Sequence, residues 1–350
     1  MSNILNKLRS WAELIKIGNV GKYNQDVKKF YHGNILHTLQ DEGWLEYLKA
    51  PHTIEEIAAQ FQYTDLELLK LLLKALVDDK SLIVRSDATY IASSTIDLST
   101  TVPKPFNESH VLVQQNLASA LPDRLRGNYH EFTGGIDLYN WDDALTANLY
   151  THLQKGACAF AGAAKKRGKF LDVGCGNGFE TAGIWTMYYQ NHCFFPGTPM
   201  KMMGIDADQS LLNIARDEFP RWVTKHWGKQ VEPIDIHSME PYFPEFQVGK
   251  AEELPFEDNS FDIVYTSNTL LWTNAPLAIK EMIRITKPGG MVFGSVRLFP
   301  HADWFAYFHT QVIKGASGFF TKKDFIQWAK EAGAKKVEFA TIVSFFKIIK

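Results

Sequence analysis

Cysteine is scarce in this 350-residue chain, which holds only Cys158, Cys175 and Cys193. Their number is odd and their spacing fits no metal-ligand pattern. Both points argue for a reducing compartment and against a disulfide framework or a cysteine-held metal. Cys175 reads as a small space-filling residue. No run approaches the ~18 apolar residues of a membrane span. The N-terminal stretch lacks an apolar signal core, because Lys7, Arg9, Glu13 and Lys16 interrupt it. The expectation is a soluble, cytoplasmic protein. Net charge is nearly absent too: 37 Lys and Arg against 39 Asp and Glu give −2. That argues against an electrostatic grip on nucleic acid or an anionic membrane, so neither is expected as a partner. Internal repeats and low-complexity segments are missing. What remains is an ordinary globular composition, 45% hydrophobic, with length for about two domains.

The most informative stretch runs from Phe170 to Glu180, Phe-Leu-Asp-Val-Gly-Cys-Gly-Asn-Gly-Phe-Glu. Phe170, Leu171 and Val173 read as the end of a buried parallel strand. Gly174, Gly176 and Gly178 make a turn with little side-chain bulk, where backbone N–H groups approach a ligand, and a helix follows from Phe179. Dinucleotide-binding folds use a similar turn. Against that reading, Phe179 stands where the dinucleotide fingerprint wants a small residue. Asp172 would repel a pyrophosphate but favour a cationic, amino-bearing ligand.

Further on, Met203-Gly-Ile-Asp-Ala207 reads as a strand ending in an acid. Lys250-Ala-Glu-Glu-Leu-Pro-Phe256 precedes a strand over 260–265 that leads to Asn268. Lys287-Pro-Gly-Gly turns into a last parallel strand. In this order, from about Lys165 onward, the motifs resemble the class I S-adenosylmethionine-dependent methyltransferases. The resemblance implies an α/β, Rossmann-like domain and S-adenosyl-L-methionine as cofactor. It implies that Asp172 pairs with the ammonium and that Gly174, Gly176 and Gly178 approach the methionine and ribose. Asp206 takes the ribose hydroxyls, Ala207 or Asp208 flanks the adenine, and Asn268 completes the set. Asp206 lies 28 residues beyond Gly178, not the roughly twenty of the dinucleotide pattern. The usual Gly-Asp-Ala-Glu becomes Gly249-Lys250-Ala251-Glu252. Lys250 cannot accept a hydrogen bond, so the adenine falls to Glu252 or to the backbone at Ala251, unless Glu252 is simply part of a solvated loop.

Upstream, Ile4, Leu8, Trp11 and Ile15 form a helical stripe over 4–17, and a second helix is expected over 27–48 with Phe30, Ile35, Leu36, Leu39 and Leu45 inward. Such stripes suit a core or a second subunit. Thr53 with Glu56 forms a capping box and Asp65 opens another helix. Two short strands then bracket Ser86-Asp-Ala88. Helix, turn, helix and hairpin make a winged helix. Between residues 51 and 95, however, four basic residues face seven acidic ones, a net −3, and a phosphate-contacting surface should be basic. The arrangement resembles the N-terminal dimerisation domain of small-molecule O-methyltransferases of the natural-product type. The expected division is 1–107 for this winged-helix, homodimer-forming domain and 108–350 for the methyltransferase domain. Helices are expected over 111–121 and 142–163, irregular excursions over 188–202 and 222–248, a Thr321-capped helix to Ala332, and a closing antiparallel hairpin.

In the resembling O-methyltransferases a histidine follows the fourth strand. Here Asn268-Thr-Leu-Leu-Trp272 places Leu271 there, and leucine takes no proton. The catalytic candidates left are His130, Trp272 and His301, with His309 also in a probable pocket segment; each histidine also reads as a packing or surface residue. An acceptor without a proton, a thioether sulfur, would need no base, and aromatic faces would steady the new sulfonium. Tyr139, Trp141, Trp272, Phe299, Trp304 and Tyr307 are the candidate aromatics; for Tyr139 and Trp141 interdomain packing is the other reading. Arg297, Arg124 or Arg126 would hold a carboxylate. The pattern is similar to the methylthiohydroxybutyrate S-methyltransferases of dimethylsulfoniopropionate synthesis. Open alternatives are an O- or C-methyltransferase with another base, a DNA-binding regulator whose Rossmann domain senses a metabolite, and a cofactor-binding fold that has lost methyl transfer.

Overall fold

The computed structural model describes residues 2–16, 20–131, 138–191, 200–227, 235–299, 303–340 and 345–350. The N-terminal part is helical: α1 (Ser2–Ile15), α2 (Val20–Asp41), α3 (Trp44–Tyr47), α4 (Ile54–Phe61) and α5 (Leu66–Asp78), then the antiparallel pair β1 (Leu82–Val84) and β2 (Tyr90–Ala92). The helix expected over 27–48 starts earlier and breaks at Gly43, whose φ of 94° leaves the helical region. Trp44 is thereby buried, and Leu45 is only half-buried. The Thr53–Glu56 capping box and the Asp65 N-cap form as the sequence indicates.

Four helices lead into the sheet: α6 (Glu108–Ser119), α7 (Leu121–Leu125), α8 (Leu138–Ala144) and α9 (Asn148–Ala161). The continuous helix expected over 142–163 is broken at 145–147. The sheet strands are β3 (Lys169–Val173), β4 (Lys201–Asp206), β5 (Glu245–Val248), β6 (Phe261–Ser267), β7 (Thr286–Ser295), β8 (Lys336–Phe339) and β9 (Phe345–Ile349). They order as β5-β4-β3-β6-β7-β9-β8, with β9 antiparallel to both neighbours. The remaining helices are α10 (Phe179–Gln190), α11 (Gln209–Trp227), α12 (Ile236–Met239), α13 (Ala275–Ile285), α14 (Trp304–Gln311) and α15 (Lys322–Glu331). The excursion expected from Trp222 starts later, because α11 runs through Pro220 to Trp227. Thr321 caps α15 through Asp324, and Gly333 follows it in the left-handed region.

The α1 stripe points away from the core. Ile4, Leu8, Trp11 and Ile15 are exposed, while Ser10 and Leu14 on the other face are buried and the helix packs along α9. One hydrophobic core joins Phe30, Leu36 and Trp44 of the N-terminal helices to Leu171, Val264 and Met282 around the sheet. Among the described residues, no helix is long and apolar enough to cross a membrane.

Candidate active site

At the carboxyl end of the sheet, between β3 and β6, the strand order reverses. Ligands of doubly wound folds bind at such a switch point. A cavity of about 530 Å³ opens there. Gly174 and Gly176 form its floor with φ of 73° and 52°. A Cβ on Gly174 would lie 2.2 Å from Thr269 Oγ1, and one on Gly176 would lie 2.8 Å from Leu145 Cδ1, so both positions need glycine. Gly178 does not line the cavity. It caps α10 and packs closely on Ala215 of α11.

Carboxylates ring this cavity. Asp172 is buried; it accepts from Thr181 Oγ1 at 2.6 Å, and burial pushes it up to about 7. Glu180, in the first turn of α10, accepts from Tyr265 Oη at 3.1 Å and Ser267 Oγ at 3.3 Å. Burial, with the charge of Asp172 adding to it, raises Glu180 to about 8. Asp206, at the end of β4, accepts from Gly176 N at 2.8 Å and Asp208 N at 3.0 Å, and burial raises it as well. Each Asp206 oxygen keeps a lone pair for a diol. Ala207, Lys250, Ala251, Glu252 and Asn268 complete the walls. Glu252 also accepts from Asn274 N at 2.8 Å. Asp208 caps the start of α11 by accepting from Ser210 N and Leu211 N, so it serves the helix and does not line the cavity. Cys175 is buried and its thiol is pushed well up, which suits space filling.

A second chamber of about 190 Å³ adjoins the first, and Trp141, Tyr150, Asn268 and Trp272 line both. Trp141 and Trp272 meet edge to face, 5.6 Å between centroids. Leu271, Ser295 and Arg297 line its sheet side, and Tyr23, Tyr31, His110 and His309 reach it from the helices. Arg297 acts through space on the buried phenols of Tyr23 and Tyr31. Burial holds His110 and His309 down at about 4, so both imidazoles are neutral near pH 7. His309 Nδ1 is 2.8 Å from Phe305 O, which leaves its buried Nε2 without a partner; both ring nitrogens of His110 are likewise buried without one.

Several sequence candidates fall elsewhere. His130 pairs through its backbone with Val312 and Lys314 and lines neither chamber. Trp304 is exposed and clusters with Phe299 and Tyr307 away from both chambers, because α14 turns that face outward. Arg124 pairs with Asp65 at 2.7 Å, and Arg126 with Glu42 and Asp123, so both tie the helices together. His301 and the Tyr139 side chain lie outside the described residues. Sequence reasoning missed Glu180 and Ser295, and it named none of the N-terminal residues that line the second chamber, although the family resemblance implied that the N-terminal part helps form the pocket. Only Glu180 left a signal: it is the one charged residue in α10.

Residues 171–294 match the methyltransferase domain family. An uncharacterized methyltransferase of Schizosaccharomyces pombe is 33% identical over 37% of this chain and 39% of its own length. A demethylmenaquinone methyltransferase of Staphylococcus aureus is 34% identical over 37% and 42%. The chain thus spans about two fifths of the length of these curated relatives. The carbon-methyltransferase domain of the citrinin polyketide synthase superposes with a TM-score of 0.69 at 12% identity, covering 99% of this chain and 96% of that one, a likeness of fold. The match, the sheet order and the glycine-floored cavity agree: the chain carries a Rossmann-like methyltransferase domain of the S-adenosylmethionine-dependent kind.

Proposed function

We propose that this chain transfers a methyl group from S-adenosylmethionine to a small organic acceptor held beside Arg297. The observation that carries the reading is the junction of the two chambers at Trp141, Tyr150, Asn268 and Trp272. The cofactor supplies an electrophilic methyl on a sulfonium. Asp172 and Glu180, buried and raised, suit its positive charge, Asp206 its ribose diol, and the backbone at Gly174 and Gly176 its amino-acid end. Ala207, Ala251 and Glu252 would border the adenine, with Asn268 at the opposite end. The protein's share of the catalysis is orientation in a dry pocket. Arg297 would clamp a carboxylate, and the faces of Trp141 and Trp272 would favour a developing cation.

Sulfur is the favoured acceptor atom, thioether or thiol, with 4-methylthio-2-hydroxybutyrate as the example. The support is Leu271, which lines the acceptor chamber and takes no proton. The second reading, O- or C-methylation with another base, draws support from the neutral His110 and His309 in the same chamber.

The division at 107/108, the winged-helix reading of α4, α5, β1 and β2, and pairing of two copies through the N-terminal part belong to the same proposal. The exposed α1 stripe supports that pairing. Incubation with S-adenosylmethionine and a panel of thioether acids, thiols, phenols and carboxylic acids, read by mass spectrometry, tests the acceptor. A methylated thioether acid with a rate flat from about pH 6 to 9 is expected. Failure of every acceptor would overturn the methyl-transfer reading.

A further inference from the structure

We propose that Ser295 and Ser267 relay a proton from a protic acceptor, an alcohol, phenol or thiol, to the carboxylate of Glu180. The proposal rests on the methyl-transfer reading and assigns the base that Leu271 cannot provide. Ser267 and Ser295 are register partners on β6 and β7, with hydroxyl oxygens 2.7 Å apart. Ser267 Oγ reaches Glu180 Oε1 at 3.3 Å. Ser295 lines the acceptor chamber, whereas Ser267 and Glu180 line the cofactor chamber, so the three residues cross the wall between them.

The chemistry fixes the direction of the chain. A carboxylate only accepts, so Ser267 donates to Glu180. With its one hydrogen committed, Ser267 must accept from Ser295. The lone pairs of Ser295 Oγ then face the acceptor. As the acceptor's O–H or S–H breaks, its proton passes to Ser295, that of Ser295 to Ser267, and that of Ser267 to Glu180. The electron pair stays on the acceptor atom, which bonds the transferred methyl while the donor's C–S pair returns to sulfur. Glu180 ends protonated, and the charges balance.

The groups facing Glu180 are Asp172 on β3, Tyr265 on β6, and Tyr150 and Cys158 on α9. None is cationic, so a bound cation in this chamber would favour the carboxylate form that accepts the proton.

The test compares the wild-type chain with Glu180→Gln and Ser295→Ala on a thiol, a phenol and a thioether of similar size. With the protic acceptors, the wild-type rate is expected to rise through one ionisation. Either substitution should lower the ratio of the protic-acceptor rate to the thioether rate about 100-fold, and Glu180→Gln should also remove the rising limb. Methylation of protic acceptors within about threefold of wild type in both variants overturns the relay, as does equal loss with all three acceptors. Infrared titration of the protein, ligand-free and with S-adenosylhomocysteine, gives a readout independent of turnover. A protonated-carboxyl band that persists above about pH 6, loses its higher-titrating part in Glu180→Gln and weakens when S-adenosylhomocysteine binds is expected. A Glu180 that keeps its proton above about pH 8 once S-adenosylhomocysteine is bound overturns the proposal, even where no acceptor is methylated and the methyl-transfer reading itself has failed.

Discussion

Asp172 and Glu180 share a cavity, and both hold their protons far more tightly than free carboxyls, at about 7 and about 8 against 3.8 and 4.5. Such groups stabilise the fold fully below their unfolded values, and the contribution is lost as pH rises through the folded ones. His110, His226 and His309, lowered from 6.5 to about 4, act oppositely: their contribution is present above 6.5 and lost on acidification. Between pH 6.5 and about 8 the carboxyls therefore set the slope. Melting of the ligand-free protein should move to lower temperature across that window, and Glu180→Gln should flatten the trend in a calorimetric scan. An ammonium entering the cavity favours the ionised carboxyls, so binding of S-adenosylhomocysteine near pH 7 should release protons. Titration calorimetry in two buffers of different ionisation enthalpy reads that release directly. Gly174→Ala is expected to weaken the same binding by more than about tenfold, because the new methyl meets Thr269 at a backbone angle that disfavours alanine.

At the scale of elements, α1 is two-faced in an unusual sense. Its buried face holds Leu14 against α9, and its apolar stripe of Ile4, Leu8, Trp11 and Ile15 is exposed. Replacing Leu8 and Trp11 together by glutamate should convert a dimer to a monomer in light scattering without altering far-ultraviolet circular dichroism. A wild-type chain that is already monomeric would sink the pairing proposal. The capping box of α4 is a local device: Thr53 accepts from Glu56 N at 3.2 Å, and Glu56 accepts from Thr53 N at 2.9 Å. Thr53→Ala should cost about 1 kcal/mol in urea unfolding. The acidic balance of α4, α5 and the following hairpin predicts no retardation of random duplex DNA in a low-salt gel shift, the outcome that separates the enzyme from a DNA-binding regulator.

For the whole molecule, the continuous core decides the behaviour. Trp44 and Leu36 belong to the same packed cluster as Leu171 and Met282. Residues 1–107 and 108–350 are therefore expected to melt in one calorimetric transition, and a fragment starting at 108 should expose apolar surface and bind a hydrophobic dye. Two separate transitions would show that the shared core contributes little. The second chamber has the same composite origin: Tyr23 and Tyr31 come from α2, His110 from α6, Arg297 from beyond β7 and His309 from α14.

The chain by itself determined the elements that build the glycine-floored cavity. Asp172, Gly174, Gly176 and Asp206 belong to short strand-turn-helix segments, in which local backbone geometry dictates residue type, so they are legible in sequence and gather around one cavity. The caps Thr53, Asp65 and Thr321 were legible for the same reason, since each bonds to backbone only three residues away. Only the tertiary structure decided the rest. Whether an apolar helical stripe faces inward depends on what packs behind it, which periodicity does not encode, and α1 turned its stripe out. Trp304, Arg124 and Arg126 suited an acceptor by chemistry alone, yet packing gave them to the surface and to Asp65, Glu42 and Asp123. The Ser295–Ser267–Glu180 line joins two strands and a helix, with 87 positions of sequence between Glu180 and Ser267 and 28 between Ser267 and Ser295. Such a line exists only once the sheet has set its register.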